Sequence, residues 1–553
     1  MQILYMILQI HHTLIFSWSP RLCSIIYPPT MPTQIIQFPP MKLFLLQNSL
    51  LILSLSLLLL GYRRRRLLKK TPASHAGLLS PYPFLGILPQ FLNNRHRFLE
   101  WLVEILSAHP THNVDFRTPG DVHGIITASP ATVEHVLKTN FGNYPKGERT
   151  VSMMSDFLGL GIFNSDGEEW KLQRKTASFE FNKRSLRAFV VDAVRNETLE
   201  RLVPVLRRAS EEGRPVDVQD ALERFAFDNI CKVVFDEDPA WLGGGGGDEF
   251  MRAFTDAQRI SADRFMSALP FTWRLKRLCN VGSERRLKES IAVVREFVTR
   301  VIQSRKKREG SRAEHADLLS RFDEAGKYSE EALRDIVVNF MVAGRETTSS
   351  ALTWFFWIVS SRPEVVAKVL EEIRSVRART MSTRNESSTF GYDELREMHY
   401  LHAAISEAMR LYPPVALDTV ECRGEDVLPD GTYVGKGWFV TYSAYVMGRL
   451  ESIWGKDCLE YRPERWLGEE DGAFKAESPF KYPVFHAGPR MCLGREMAYT
   501  QMKAVAACVI ERFVMEAVEK VEEPKYVISL TLRMKGGLWM RVKERELEGE
   551  AMV

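Results

Sequence analysis

The chain has 553 residues, 45% hydrophobic and 26% charged, enough to bury a sizeable core and ordinary for a globular enzyme. Residues 1–70 carry eight Lys/Arg and no Asp/Glu, so the formal +4 belongs to that end, and the other 66 basic residues face all 70 acidic ones; nothing in that balance points to nucleic acid. Seven scattered cysteines, Cys23, Cys231, Cys279, Cys422, Cys458, Cys492 and Cys508, form no C-x-x-C. That indicates neither a zinc site nor a disulfide framework and fits a reducing compartment. The six other than Cys492 read as small buried hydrophobes.

Residues 1–40 are apolar, with one charge at Arg21 and prolines at 20, 28, 29, 32, 39 and 40. Leu43 to Tyr62 is twenty residues without a charge; as a helix rising ~1.5 Å per residue it spans the ~30 Å hydrocarbon core. Arg63–Arg66, Lys69 and Lys70 follow, a flank that stays cytosolic by the positive-inside rule. A cleaved signal peptide would need a small-x-small site and basic residues on the other side. Met41-Lys42 therefore opens a self-sufficient anchor over 41–70; Met41, or Met31, is the expected natural start, with the residues before it upstream. Pro72, Pro81, Pro83 and Pro89 stiffen a hinge leading into one large catalytic domain, 71–553.

Around Gly120 and Gly124, residues 111–130 read as a small β region. From about 168 to 420 the period is mostly helical, clearest over Arg184–Val203, Val218–Phe235, Glu284–Lys307 and Glu364–Arg377. Gly243–Gly247 is a flexible loop; it lacks the Lys-Ser/Thr of a phosphate loop. Asp426–Val440 and Val527–Val542 return to strand-like patterns. The fold class is mainly α with small β-sheets, behind a single-pass N-terminal anchor.

Several constellations carry chemistry. Trp170 and Arg174, four apart, share a helix face; alone they would suit any amphipathic helix. Ala343-Gly344-Arg345-Glu346-Thr347-Thr348 interrupts the apolar run Ile336–Trp357. A glycine and two threonines weaken a helix locally, and Glu346 with Thr347 is either a polar patch or a proton-handling pair. Glu407 and Arg410, three apart, can pair on one face, by themselves most simply at a surface. Pro463-Glu464-Arg465-Trp466 adds another arginine. His402 reads as packing or surface, and His486 as a solvated loop residue.

The most informative stretch is Phe485-His486-Ala487-Gly488-Pro489-Arg490-Met491-Cys492-Leu493-Gly494, just before an amphipathic helix. A thiolate ligand to haem iron needs N–H donors and the positive end of a helix. Gly488 and Gly494 let backbone approach a flat macrocycle, Arg490 can pair with a propionate, and Phe485 can shield the sulfur. The plainer reading is a buried free cysteine.

This stretch resembles the Phe-x-x-Gly-x-Arg-x-Cys-x-Gly signature of the cytochromes P450, the haem-thiolate monooxygenases, and the resemblance extends over about residues 72–545. It implies the P450 fold, haem b with Cys492 as axial ligand, and electrons from NADPH through a separate NADPH–cytochrome P450 reductase, since no flavin or nicotinamide motif is present. It implies a long helix over the haem whose loosened turn opens a groove for O2. Glu346 and Thr347 resemble the acid–alcohol pair that delivers protons for dioxygen cleavage. Trp170 and Arg174 would hold a propionate, and Glu407, Arg410 and Arg465 would form a buried ion cluster behind the cysteine loop. The implied location is the endoplasmic reticulum membrane, catalytic domain in the cytosol.

Finer phrases, Gly161-Ile162-Phe163-Asn164-Ser165-Asp166-Gly167, Leu352-Thr353-Trp354-Phe355-Phe356-Trp357, Val427-Leu428-Pro429-Asp430-Gly431 and Tyr482-Pro483-Val484-Phe485, resemble plant enzymes that hydroxylate fatty-acid chain ends. Members of that branch also oxidise jasmonate–amino-acid conjugates, so jasmonoyl-isoleucine is the alternative substrate. The channel is expected along Met153–Phe163, Phe340–Thr348, Val415–Val420 and Leu530–Gly537. Where relatives read Asp-Ser-Lys, this chain has Asp418-Thr419-Val420, a lost lysine that could alter head-group binding. Two other classes are a haem-thiolate isomerase or dehydratase, against which Glu346-Thr347 argues, and a non-catalytic membrane-anchored binding protein, which would not need these motifs together.

Overall fold

The structure is a computed structural model that describes residues 85–546, except 120–121, 180–192, 245, 268, 270, 309–317, 325–327, 381–389 and 520–523, together with Ser54, Leu79 and Tyr82. The chain divides into Met1–Ala73 and Ser74–Val553; every element below belongs to the second unit. Of the predicted anchor, Leu43 to Tyr62, all but Ser54 lies outside the described residues, and among those described no helix is long and apolar enough to cross a membrane.

Helices dominate: α1 Phe98–Ala108, α2 Glu148–Leu158, α3 Gly167–Ser178, α4 Val203–Glu211, α5 Val218–Phe235, α6 Asp248–Asp263, α7 Thr272–Cys279, α8 Gly282–Arg308, α9 Glu330–Val359, α10 Pro363–Thr380, α11 His399–Leu411 and α12 Arg495–Arg512. The predicted helix 218–235 coincides with α5, and its ends have local causes. The Asp217 side chain accepts from the Gln219 and Asp220 N–H groups, and Asp236 turns left-handed at φ +50°; these satisfy end groups that helix bonds leave free. The predicted 284–307 and 364–377 fall inside α8 and α10. Of 184–203, residues 184–192 lie outside the description; 193–202 are helical, with a wide turn over Thr198–Leu202.

Small sheets complete the fold. β1 (Asn113–Thr118) and β2 (Val122–Thr127) pair antiparallel within the predicted β region 111–130, and β2 pairs in parallel with β7 (Phe439–Tyr442), which pairs antiparallel with β4 (Asp418–Glu421). Between those, β3 (Val216–Asp217) joins β11 (Trp539–Glu544) and β8 (Phe513–Ala517), β5 (Asp426–Val427) pairs with β6 (Tyr433–Val434), and β9 (Tyr526–Ile528) with β10 (Leu532–Met534).

Thirty residues long, about 45 Å at helical rise, α9 organises the core. Ser329 caps it, and Glu330 and Glu331 complement its positive end. It touches α2, α5, α8, α11 and α12. α9 is helical from 330 to 359, with no break at the expected loosened turn. Gly344 serves packing instead, since a Cβ there would lie 2.5 Å from the Ile230 side chain on α5. Further along, Trp354 stacks on Tyr412 at 4.2 Å and donates to the Leu532 carbonyl, tying α9 to the end of α11 and to β10.

Candidate active site

Between Phe485 and Gly494 the chain is a tight loop, closed by the Cys492 N–H donating to the Phe485 carbonyl at 2.8 Å. At φ +64°, Gly488 occupies a conformation that disfavours side chains, and a Cβ would fall 1.9 Å from the Leu137 oxygen. The glycine is thus required by neighbouring backbone. Gly494 is the residue before α12 and lines the same cavity as Cys492 and Phe485. Burial pushes the Cys492 thiol up, while the Gly494 N–H and the Arg174 and Arg495 charges pull it down. Its sulfur is crowded by protein yet open to the cavity.

Helix α3 brings Trp170 and Arg174 to this loop. Arg174 donates to the Met491 carbonyl at 2.6 Å, and the Arg490 guanidinium lies 4.4 Å over the Trp170 ring. Arg490 pairs with Asp166 at 2.5 Å, an acidic partner that sequence reasoning did not supply. Asp166 also accepts from the Lys146 and Gly147 N–H groups, so it ties the starts of α2 and α3 to the cysteine loop.

The cavity has a volume of about 1220 Å³, above the roughly 300–1,000 Å³ of ordinary ligand pockets. Its wall includes Met153, Met154, Leu158, Phe163, Phe340, Ala343, Thr347, Val415 and Leu530, so each of the four predicted channel segments contributes. Sequence reasoning missed the contributions of α1, β2, α5 and β7, such as Phe98, Ile126, Ile230 and Phe439. Val420 is a correction: it is 2% exposed in the core, opposite Val440 of β7, and does not reach the cavity. Thr419 does, bonded to Thr441 at 2.9 Å.

His486 is another correction. Its side chain is 17% exposed, not solvated, and its Nε2 lies 3.3 Å from Asp418. Lys146 pairs with the same carboxylate at 2.7 Å. Burial alone would raise Asp418, but Lys146 and His486 hold it well below the usual carboxylate range. His402 is packing as expected, stacked on Phe474 at 3.7 Å with burial pushing it down to about 2. Cys279 is exposed, unlike the buried Cys231, Cys422, Cys458 and Cys508.

On α9, Thr347 lines the cavity and its hydroxyl donates to the Ala343 carbonyl at 2.6 Å. Glu346 sits in a buried network behind it. Arg345 pairs with Glu346 and, at 3.0 Å, with Glu223; Arg533 reaches Glu223 at 2.6 Å. Burial raises the Glu346 carboxyl, and Arg345 opposes that shift. Thr531, which lines the cavity, also opposes that rise.

Glu407, Arg410 and Arg465 meet in the interior. Arg410 forks onto both Glu407 oxygens at 2.7 and 2.8 Å, Arg465 approaches at 3.3 Å, and Trp466 Nε1 donates at 2.9 Å. Tyr482, just before the cysteine loop, packs edge-on against Trp466 at 4.7 Å and donates to the Ser406 carbonyl.

These residues fit haem b. A single cysteine with a facing N–H donor offers the axial sulfur, and the two arginines and Trp170 converge beside it. Arg490 Nε, buried and without a partner among the described residues, is a donor of the right kind for a propionate.

The Cytochrome P450 family model matches residues 77–539. The chain is 51% identical over 491 residues to cytochrome P450 CYP94D108 of Paris polyphylla, covering 88% of this chain and 95% of that protein. It is 44% identical to cytochrome P450 94A2 of Vicia sativa (86% and 93% covered) and 45% identical to cytochrome P450 94B1 of Arabidopsis thaliana (84% and 91%). Identity of this extent leaves one conclusion about the cysteine loop and the cavity it faces: the chain belongs to the cytochrome P450 family, the haem-thiolate monooxygenases.

Proposed function

We propose that this protein hydroxylates aliphatic carboxylic acids at or next to the terminal carbon, with NADPH electrons delivered by a separate reductase at the cytosolic face of the endoplasmic reticulum. The observation that carries the reading is the apolar cavity shared by Cys492 and Thr347. Burying a chain there stabilises the complex by ~0.8 kcal/mol per CH₂. A terminal C–H is stronger than its neighbours, so attack at the chain end requires walls that block sideways approach, a task suited to Phe340, Val415 and Leu530. Haem b held by Cys492, Arg490, Arg174 and Trp170 would supply reductive O2 cleavage, one oxygen atom entering the substrate and the other leaving as water. The protein's own part is to grip the chain, exclude water and deliver protons through the Thr347 hydroxyl and the Glu346 carboxyl behind it.

Thr347→Ala should keep haem and carbonyl binding, because the hydroxyl bonds only to helix backbone. Product per NADPH should fall severalfold and hydrogen peroxide should rise. Unchanged coupling would remove Thr347 from proton delivery. The deciding experiment for the reaction is a product screen of microsomes containing the full chain and a reductase, with NADPH, against C12–C18 acids and jasmonoyl-isoleucine. Terminal or adjacent alcohols of the acids are expected. Oxidation of jasmonoyl-isoleucine alone would shift the reading to hormone catabolism, and products formed without NADPH would favour an isomerase.

A further inference from the structure

Six cationic side chains line the cavity: Lys146, Arg149, Arg174, Arg264, Arg274 and Arg490. Four have partners. Lys146 is paired with Asp418, Arg264 with Asp156 and Glu284, and Arg490 with Asp166, while Arg174 donates to the Met491 carbonyl and is assigned, like Arg490, to the haem. Arg149, at the start of α2, and Arg274, on α7, have no carboxylate at ion-pair distance among the described residues. Each instead lies against an aromatic ring at 5.4 Å, Arg149 over Phe439 and Arg274 over Trp273.

The two are electrostatic neighbours. Burial holds the Arg149 guanidinium below its usual range, and the Arg274 charge lowers it further; Glu421 acts the other way. Glu421, half-buried on the same wall, makes no ion pair with Arg149 among the described residues; burial raises its carboxyl and the Arg149 charge opposes the rise. Glu148, the other acid on this wall, is exposed. Two cations that line one cavity without a carboxylate at ion-pair distance offer an anion a place to join them. A guanidinium meets a carboxylate by a charge-assisted fork. Arg149 is half-buried and Arg274 exposed, as is Phe271 beside it, so the pair marks a solvent-facing side of a cavity that is otherwise largely apolar.

We propose that Arg149 and Arg274 together bind the carboxylate of the substrate, so that its apolar tail extends into the cavity shared by Cys492 and Thr347. The inference rests on the hydroxylase reading and deepens it: the substrate class becomes an anionic monocarboxylate with a long apolar tail, and α2 and α7 become the elements that select for the charge.

The test uses the purified, haem-loaded full-length protein and two probes of equal chain length, dodecanoic acid and its methyl ester. Dissociation constants are read from the substrate-induced change in haem absorption for wild type, R149Q, R274Q, the double variant and R149K. Wild type should prefer the acid. The double variant should weaken acid binding about ten- to a hundredfold, the range of hydrogen bonds to charged groups, while ester binding stays within about twofold. R149K, which keeps a charge but not the fork, should fall between. An acid-to-ester ratio unchanged in the double variant overturns the proposal, as does a parallel loss for both probes, which would mean a merely structural role. If wild type oxidises neither probe, the hydroxylase reading itself fails; if it oxidises the acid and the variants keep the ratio, only the arginine assignment does.

Discussion

Replacing Cys492 with serine is expected to abolish turnover and remove the red-shifted absorption of the reduced, carbonyl-bound protein. A thiolate pushes electron density onto haem iron and favours O–O cleavage; a serine hydroxyl does not. No other described cysteine can substitute. Cys231, Cys422, Cys458 and Cys508 are buried, and Cys279 is exposed at the end of α7; none of them lines the cavity. The loop itself should survive, because what fixes it is not the sulfur. The Cys492 N–H holds the Phe485 carbonyl, Arg174 holds Met491, and Gly488 sits against Leu137. Circular dichroism should therefore match wild type while product formation falls to background. A red-shifted carbonyl band persisting in Cys492→Ser would show that another thiolate binds the iron.

What the sequence made legible was chiefly local. The α5 helix was bounded correctly because its cap, Asp217, and its left-handed end, Asp236, adjoin the periodic run. Glu407 and Arg410 declared themselves as a pair by spacing alone, yet whether that pair lay at the surface or in the core was not written in three residues. Both side chains are 0% exposed, and the reason is Arg465 and Trp466, 58 and 59 positions away. Only family resemblance pointed there. Contacts across still longer separations left no local signal. Lys146 meets Asp418 over 272 positions, and that meeting is what draws His486 out of solvent. Arg345 looked like an interruption of an apolar helix. It is fully buried because Glu223, 122 positions earlier, provides its counter-charge. Local propensity favours a weak turn at Gly344, yet the helix runs unbroken there, packed against Ile230 on α5.

The second large effect should come from Glu407→Gln. The substitution keeps the shape of the side chain and removes its charge, leaving Arg410 buried without a counter-ion and Arg465 with Asp457 alone. Breaking a buried pair in this way costs about 3–5 kcal/mol, whereas replacing a whole cluster by apolar residues can be neutral. Here the loss is compounded, because the Arg462 and Trp466 N–H groups also donate to Glu407, and an amide is a weaker acceptor than a carboxylate. For a unit of this length, unfolding entropy per residue makes each kcal/mol worth about one degree. The melting temperature should therefore fall by roughly 3–5 °C on these figures. The damage should also reach the active site. Trp466 packs on Tyr482, Tyr482 is anchored to the Ser406 carbonyl, and the chain runs directly from Tyr482 through Pro483 and Val484 to Phe485, the acceptor of the Cys492 N–H. Loosening the cluster should loosen the seat of the thiolate, so a smaller fraction of the protein should show the red-shifted carbonyl band even at temperatures where it stays folded. A variant that melts within a degree of wild type and keeps the full band would show that the cluster neither stabilises the fold nor holds the loop.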